Sequence, residues 1–135
     1  MSERLIQLAA AGTSPWLDNI RRSWLRSGEF RSMVDGGIRG VTSNPTIFQK
    51  AIADSDDYDE AIQALRGRGI GADEVFFELA IEDVQEAADQ MAGVFTDTQH
   101  LDGFVSFELP PDMANDTQAS IEATGREHTP LGDER

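Results

Sequence analysis

The chain contains no cysteine. Disulfides, thiol nucleophiles and cysteine-ligated metals are thereby excluded. Lysine is almost as scarce: ten of the eleven basic residues are arginine, and the only lysine is Lys50. Any chemistry that needs a lysine amine must use Lys50 or borrow one from elsewhere. Positive charge as a whole is short, with 11 Lys and Arg against 25 Asp and Glu and a formal net charge of −14 over 135 residues. Such a surface repels phosphate backbones and anionic lipid, so neither a nucleic acid nor a membrane surface is an expected partner. A small phosphorylated substrate stays open, because a few local cations decide its binding. Long apolar runs are missing too. The opening Met1 to Leu8 is broken at Gln7, too short for a membrane span or a signal peptide, so the cytoplasm is the default location.

What is present reads as one soluble α/β domain. A hydrophobic share of 39% with 27% charged residues fits a globular chain rather than a disordered one. A short helix is expected over 3–10, then a Gly12-Thr13-Ser14-Pro15 break. Trp16-Leu17-Asp18 either ends a short strand or opens a turn. Leu17, Ile20, Trp24 and Leu25 fall at helical spacing, predicting a helix over 18–27 stopped by Gly28, with a further turn or two over 29–34. Ile38 to Thr42 is a β-branched run and reads as a strand. Asn44 and Pro45 suit the N-cap and first position of a helix running to Ala53. Ser55 is the expected cap of a helix carrying Tyr58, Ala61, Ile62 and Leu65. Residues 72–91 form a long helix with Phe76, Leu79, Ala80, Val84, Ala87, Ala88 and Met91 on one stripe. Phe104 to Leu109 is the strongest strand signal, ended by Pro110-Pro111. Asp112 or Asn115 is the expected cap of a last helix holding Met113, Thr117 and Ile121. Beyond residue 125 the periodicity fails, and residues 126–135 are expected to be a disordered tail. No internal repeat is visible. Strands alternating with helices predict a parallel sheet, whose strands expect cover on both faces.

Three polar residues stand at or near the ends of the candidate strands: Asp18, Asn44 and Glu108. Working residues in α/β barrels occupy that position, and two carboxylates with an amide there can move protons through a water and hold a sugar hydroxyl. Plainer readings stand beside this one. Asn44 before Pro45 is an ordinary N-cap, and Asp18 can cap the helix it opens. Glu108 directly after Val105-Ser106-Phe107 is harder to explain as a strand residue.

Ser14-Pro15-Trp16-Leu17-Asp18, then Gly40-Val41-Thr42-Ser43-Asn44-Pro45-Thr46-Ile47-Phe48, then Asp102-Gly103-Phe104-Val105-Ser106-Phe107-Glu108-Leu109 resemble the transaldolase family in order and spacing. Ala51-Ile52, Tyr58-Asp59 and Glu82-Asp83 add to the likeness, which runs from about Ala10 to Thr124. The resemblance implies a (β/α)8 TIM barrel, here the first three parallel strands with their helices over residues 1–125. It implies transfer of a dihydroxyacetone unit between sugar phosphates, from sedoheptulose 7-phosphate to glyceraldehyde 3-phosphate, in the pentose phosphate pathway. It also implies that no metal and no organic cofactor is needed. Asp18 would be the acid/base at the sugar hydroxyl where the carbon–carbon bond breaks. Asn44 would position substrate hydroxyls. Glu108 would work through a water in making and breaking the Schiff base. Thr42 and Ser43 would bind substrate at the same mouth.

One departure is plain. The family's Schiff-base lysine stands on a fourth strand, and these 135 residues hold only Lys50, in the helix after Asn44. The chain alone is therefore expected to be inactive, and Lys50 to be a solvated surface lysine. The alternative is a non-catalytic binding or assembly module, because part of a barrel exposes strand edges that accept a second copy or a complementary barrel fragment. Two other signals are set aside. Asp54 to Glu60 lacks the glycine and glutamate of a calcium loop, and Gly67-Arg68-Gly69-Ile70-Gly71 follows a helix rather than the strand a dinucleotide fingerprint needs.

Overall fold

The computed structural model describes residues 3–109 and 115–121. Three parallel strands, β1 (Trp16–Leu17), β2 (Gly40–Ser43) and β3 (Phe104–Phe107), form one sheet in the order β1-β2-β3. Helices α2 (Arg22–Ser27) and α3 (Glu29–Asp35) carry the chain from β1 to β2. Helices α4 (Pro45–Ala53), α5 (Asp59–Arg66) and α6 (Ala72–Asp97) carry it from β2 to β3, and α1 (Glu3–Ala10) precedes the sheet. The ladder runs slightly past the strands at both ends. Arg39 N–H donates to Pro15 O at 2.8 Å, Gly103 N–H to Arg39 O at 2.7 Å, and Glu108 N–H to Ser43 O at 3.0 Å.

Alternation along the strands divides the sheet into two unlike faces. Leu17, Val41, Val105 and Phe107 meet the helices, where Ile20, Leu25, Phe30, Val34, Phe48, Ala80, Ala87 and Met91 complete the main core. The Phe48 and Phe107 rings meet edge to face at 5.6 Å. On the opposite face stand Trp16, Gly40, Thr42, Phe104 and Ser106. Trp16 and Phe104 are exposed there. The cover expected on both faces is present on one face among the described residues. Gly40 is required on the open face, since a Cβ there would fall inside the Trp16 indole.

Several boundaries differ from the sequence expectation. The helix expected from Asp18 begins only at Arg22, and its N-cap residue, Arg21, makes no side-chain cap bond. Ser55 does not cap α5; its hydroxyl turns back to donate to Ala51 O, and α5 starts at Asp59. Helix α6 runs six residues beyond Met91 because Val94 continues the packed stripe. Strand β3 ends at Phe107, two residues early. Residues 117–121 are helical, and Asp116 rather than Asn115 accepts the cap bond, from Ala119 N–H at 2.9 Å. Asp112, Met113 and the tail 126–135 lie outside the described residues.

Candidate active site

Asp18, Asn44 and Glu108 are each the first residue after a strand, on β1, β2 and β3 in turn. The parallel register therefore carries all three to one end of the sheet. Leu17 pairs with Val41, and Ser43 with Phe107. Asp18 falls level with Thr42, and the Thr42 hydroxyl donates to Asp18 Oδ1 at 2.7 Å. Asn44 falls level with Glu108. The three side chains line one open cleft of about 570 Å³ together with Pro45, Thr46, Ile47, Lys50 and Leu109.

Asn44 is the N-cap that the sequence predicts, and it also lines the cleft. Its Oδ1 accepts from Ile47 N–H at 3.0 Å and caps α4, with Pro45 at the first helical position. That bond fixes which end of the amide is spent. Nδ2, a double donor, is uncommitted among the described residues. Asp18 caps no helix; its carboxylate is held by Thr42 instead. Thr42 does not line the cleft and acts on it through Asp18.

Ser43 departs from the substrate-binding role expected of it. It lies on the helix-facing side of β2, is 1% exposed, and donates its hydroxyl to Ser106 O at 3.0 Å. That hydroxyl ties β2 to β3 and does not reach the cleft. Lys50, expected to be a solvated surface lysine, is exposed and stands on the cleft wall.

A second polar cluster is not visible from the sequence pattern. Arg22, Tyr58 and Asp83 are all but fully buried, at 2%, 1% and 1% exposure. Arg22 Nε donates to Asp83 Oδ1 at 2.6 Å, and its Nη2 donates to Glu82 Oε2 at 2.9 Å and to Leu79 O at 3.2 Å. The Tyr58 hydroxyl donates to Asp83 Oδ2 at 2.7 Å, and the Arg22 guanidinium lies 4.5 Å from the Tyr58 ring centre. Burial works against the Arg22 charge, but Asp83 and then Glu82 outweigh it and raise its pKa. Burial, reinforced by the Asp83 hydrogen bond, pushes the Tyr58 phenol well above its ordinary range. The cluster fastens α2 and the start of α5 to α6, behind the sheet and apart from the cleft.

The Transaldolase/Fructose-6-phosphate aldolase family matches residues 15–128.

The chain belongs to this family.

It is 38% identical over 135 residues to a transaldolase of Trichodesmium erythraeum, covering 99% of this chain and 36% of that protein. To a transaldolase of Frankia alni it is 43% identical over 122 residues, covering 90% of this chain and 33% of that protein. A protein named transaldolase 2 from Nostoc is 39% identical over 131 residues, covering 96% of this chain and 34% of its own length. The chain thus spans about a third of the length of these curated relatives. The described parallel sheet with its helices is the kind of α/β arrangement that a transaldolase-family barrel begins with. Among the described residues no helix is long and apolar enough to cross a membrane.

Proposed function

We propose that the chain provides the first three strands of a cytoplasmic (β/α)8 transaldolase site, which moves a dihydroxyacetone unit between sugar phosphates in the pentose phosphate pathway. Sedoheptulose 7-phosphate is the ketose donor and glyceraldehyde 3-phosphate the acceptor. The observation that carries this reading is the meeting of Asp18, Asn44 and Glu108 in one cleft at the ends of three successive parallel strands, in a chain of this family.

Each side chain has a role its chemistry supports. Asp18, oriented by the Thr42 hydroxyl, takes the proton from the sugar hydroxyl as the carbon–carbon bond breaks, and returns it in the reverse direction. Asn44 donates from Nδ2 to a substrate oxygen while its Oδ1 stays on the helix cap. Glu108 carries protons through a water as the carbinolamine forms and dehydrates. The amine is the missing participant: the resemblance assigns it to a lysine on a fourth strand. Without that lysine the 135 residues bind sugar phosphate and form no imine.

Two experiments test the reading. Fructose 6-phosphate and borohydride should leave the 135-residue chain unmodified. The same chain joined to the remaining two thirds of the Frankia alni relative should give a trapped adduct and turnover. In that chimera Glu108→Gln and Asp18→Asn should each lower kcat by about 100-fold or more, the range for a positioned proton carrier. Full activity in both variants would sink the reading.

A further inference from the structure

Arg22 spends one edge of its guanidinium on α6. Nε and Nη2 donate to Asp83, to Glu82 and to the Leu79 carbonyl. Nη1 is left over: it is buried and has no hydrogen-bond partner among the described residues. A guanidinium is a rigid planar fork of donors. With the Nε and Nη2 edge turned to α6, the Nη1 edge is turned away from it. A buried donor without a partner forfeits the whole of its hydration, and native structures satisfy nearly all such groups.

A cavity of about 20 Å³ lies on that other side, between the start of α2 and the turn from α4 to α5. Arg22 lines it with Arg21, Asp54, Ser55, Asp57 and Tyr58, and no residue of α6 takes part. A single water needs about 10–15 Å³ of such space, so the cavity holds one water-sized occupant. The charges on its walls decide the chemistry of that occupant. Two arginines face two aspartates, so a cation is opposed by the one pair and an anion by the other. Arg22 can only donate, and an ionised carboxylate can only accept. Water does both. Asp57 is half-buried and its carboxylate has no partner among the described residues, whereas Asp54 is exposed. The Ser55 hydroxyl donates to Ala51 O at 2.9 Å and keeps lone pairs with which to accept.

We propose that this cavity binds one long-lived water, which accepts from Arg22 Nη1 and donates to Asp57 and Ser55. The water gives the buried cluster a further arm. Arg22, already fastened to α6, is tied through it to the turn that ends α4, the helix whose first residues wall the cleft. Asp57 stays in touch with solvent, so the link avoids the desolvation that a direct buried ion pair carries. Nothing in this inference depends on the reaction proposed for the cleft.

A crystal of the full chain soaked in sodium bromide tests the site. The expected result is one oxygen peak within roughly 2.7–3.2 Å of Arg22 Nη1, in contact with Asp57 and without anomalous signal. An anomalous bromide peak there would overturn the water in favour of an anion. A direct bond from Nη1 to Asp57, or no peak at all, would also overturn it. In solution, magnetic relaxation dispersion of water should count one long-lived water fewer in D57L than in the unaltered chain. D57N keeps an acceptor and should retain the water. In urea, D57L should raise the unfolding equilibrium constant by about tenfold, as expected for a stranded buried donor, and D57N by less. Equal water counts in D57L and the unaltered chain, or unchanged stability in D57L, would sink the proposal.

Discussion

Tyr58 is the only tyrosine in the chain, so its phenol reports on the buried cluster without interference. Burial and the hydrogen bond to Asp83 raise its pKa above the ordinary value of 10. The sign of the linkage follows. A raised folded pKa contributes stability that is fully present below the unfolded pKa and is lost as pH rises toward the folded one. Thermal melts from pH 8 upward should therefore hold level to about pH 10 and then fall. Phenolate absorbance should appear with unfolding rather than before it; a phenolate signal from still-folded protein would contradict the burial. The neighbouring ion pair makes a second expectation. Asp83→Asn or Arg22→Met should each cost about 3–5 kcal/mol in urea unfolding, because each strands a buried partner, and the double replacement R22M/D83L should recover much of it. A double mutant as unstable as the sum of the singles would mean the two residues act independently.

The same residues mark where the sequence stopped being informative. The strand-end positions of Asp18, Asn44 and Glu108 are legible because Pro45 and short apolar runs mark the strand ends and because the motifs around them are distinctive. Arg22 is not. Apolar periodicity around it assigns an arginine to solvent by default. A signal did exist on the other side: Asp83 lies three residues after Ala80 and four before Ala87, within the apolar stripe of α6. A carboxylate at such a position calls for a buried donor, which Arg22 supplies. Ser43 failed for a different reason. Its neighbour Thr42 has the opposite side of the strand, and motif membership says nothing about which face of the sheet each of two adjacent residues takes.

Among the elements, the joint between α6 and β3 leaves no room for a side chain. Gly103 has φ +89°, and a Cβ there would approach the Phe95 backbone nitrogen to 2.5 Å. Gly103→Ala should destabilise the fold by roughly 1–3 kcal/mol through strain and overpacking together, measured as a shifted urea midpoint with unchanged slope. A neutral result would show that this turn can relax. The helix boundaries tell a consistent story. Among the described residues, periodicity and turn residues indicate most elements, while tertiary packing decides their lengths. Helix α6 overran its expected end because Val94 still finds the core, and α2 began late because Asp18 is engaged by Thr42 across the sheet rather than by its own helix.

For the whole molecule, the open side of the sheet is the governing fact. Among the described residues β1 and β3 each have one unpaired edge, and Trp16 and Phe104 stand exposed between them. Against this, a net charge of −14 keeps copies apart at low ionic strength. Sedimentation of the chain alone should show association that grows with salt as the repulsion is screened; a monomer at all salt concentrations would mean the exposed edges are not sticky. The buried cluster carries one more consequence, for chronology. Asp83 lies 61 residues beyond Arg22, so the guanidinium stays hydrated until α6 has been made and the loop between them has closed. Synthesis alone thus forbids early locking of α2: the arrival of α6 is the event that dries Arg22, and every earlier arrangement of the first two strands remains provisional.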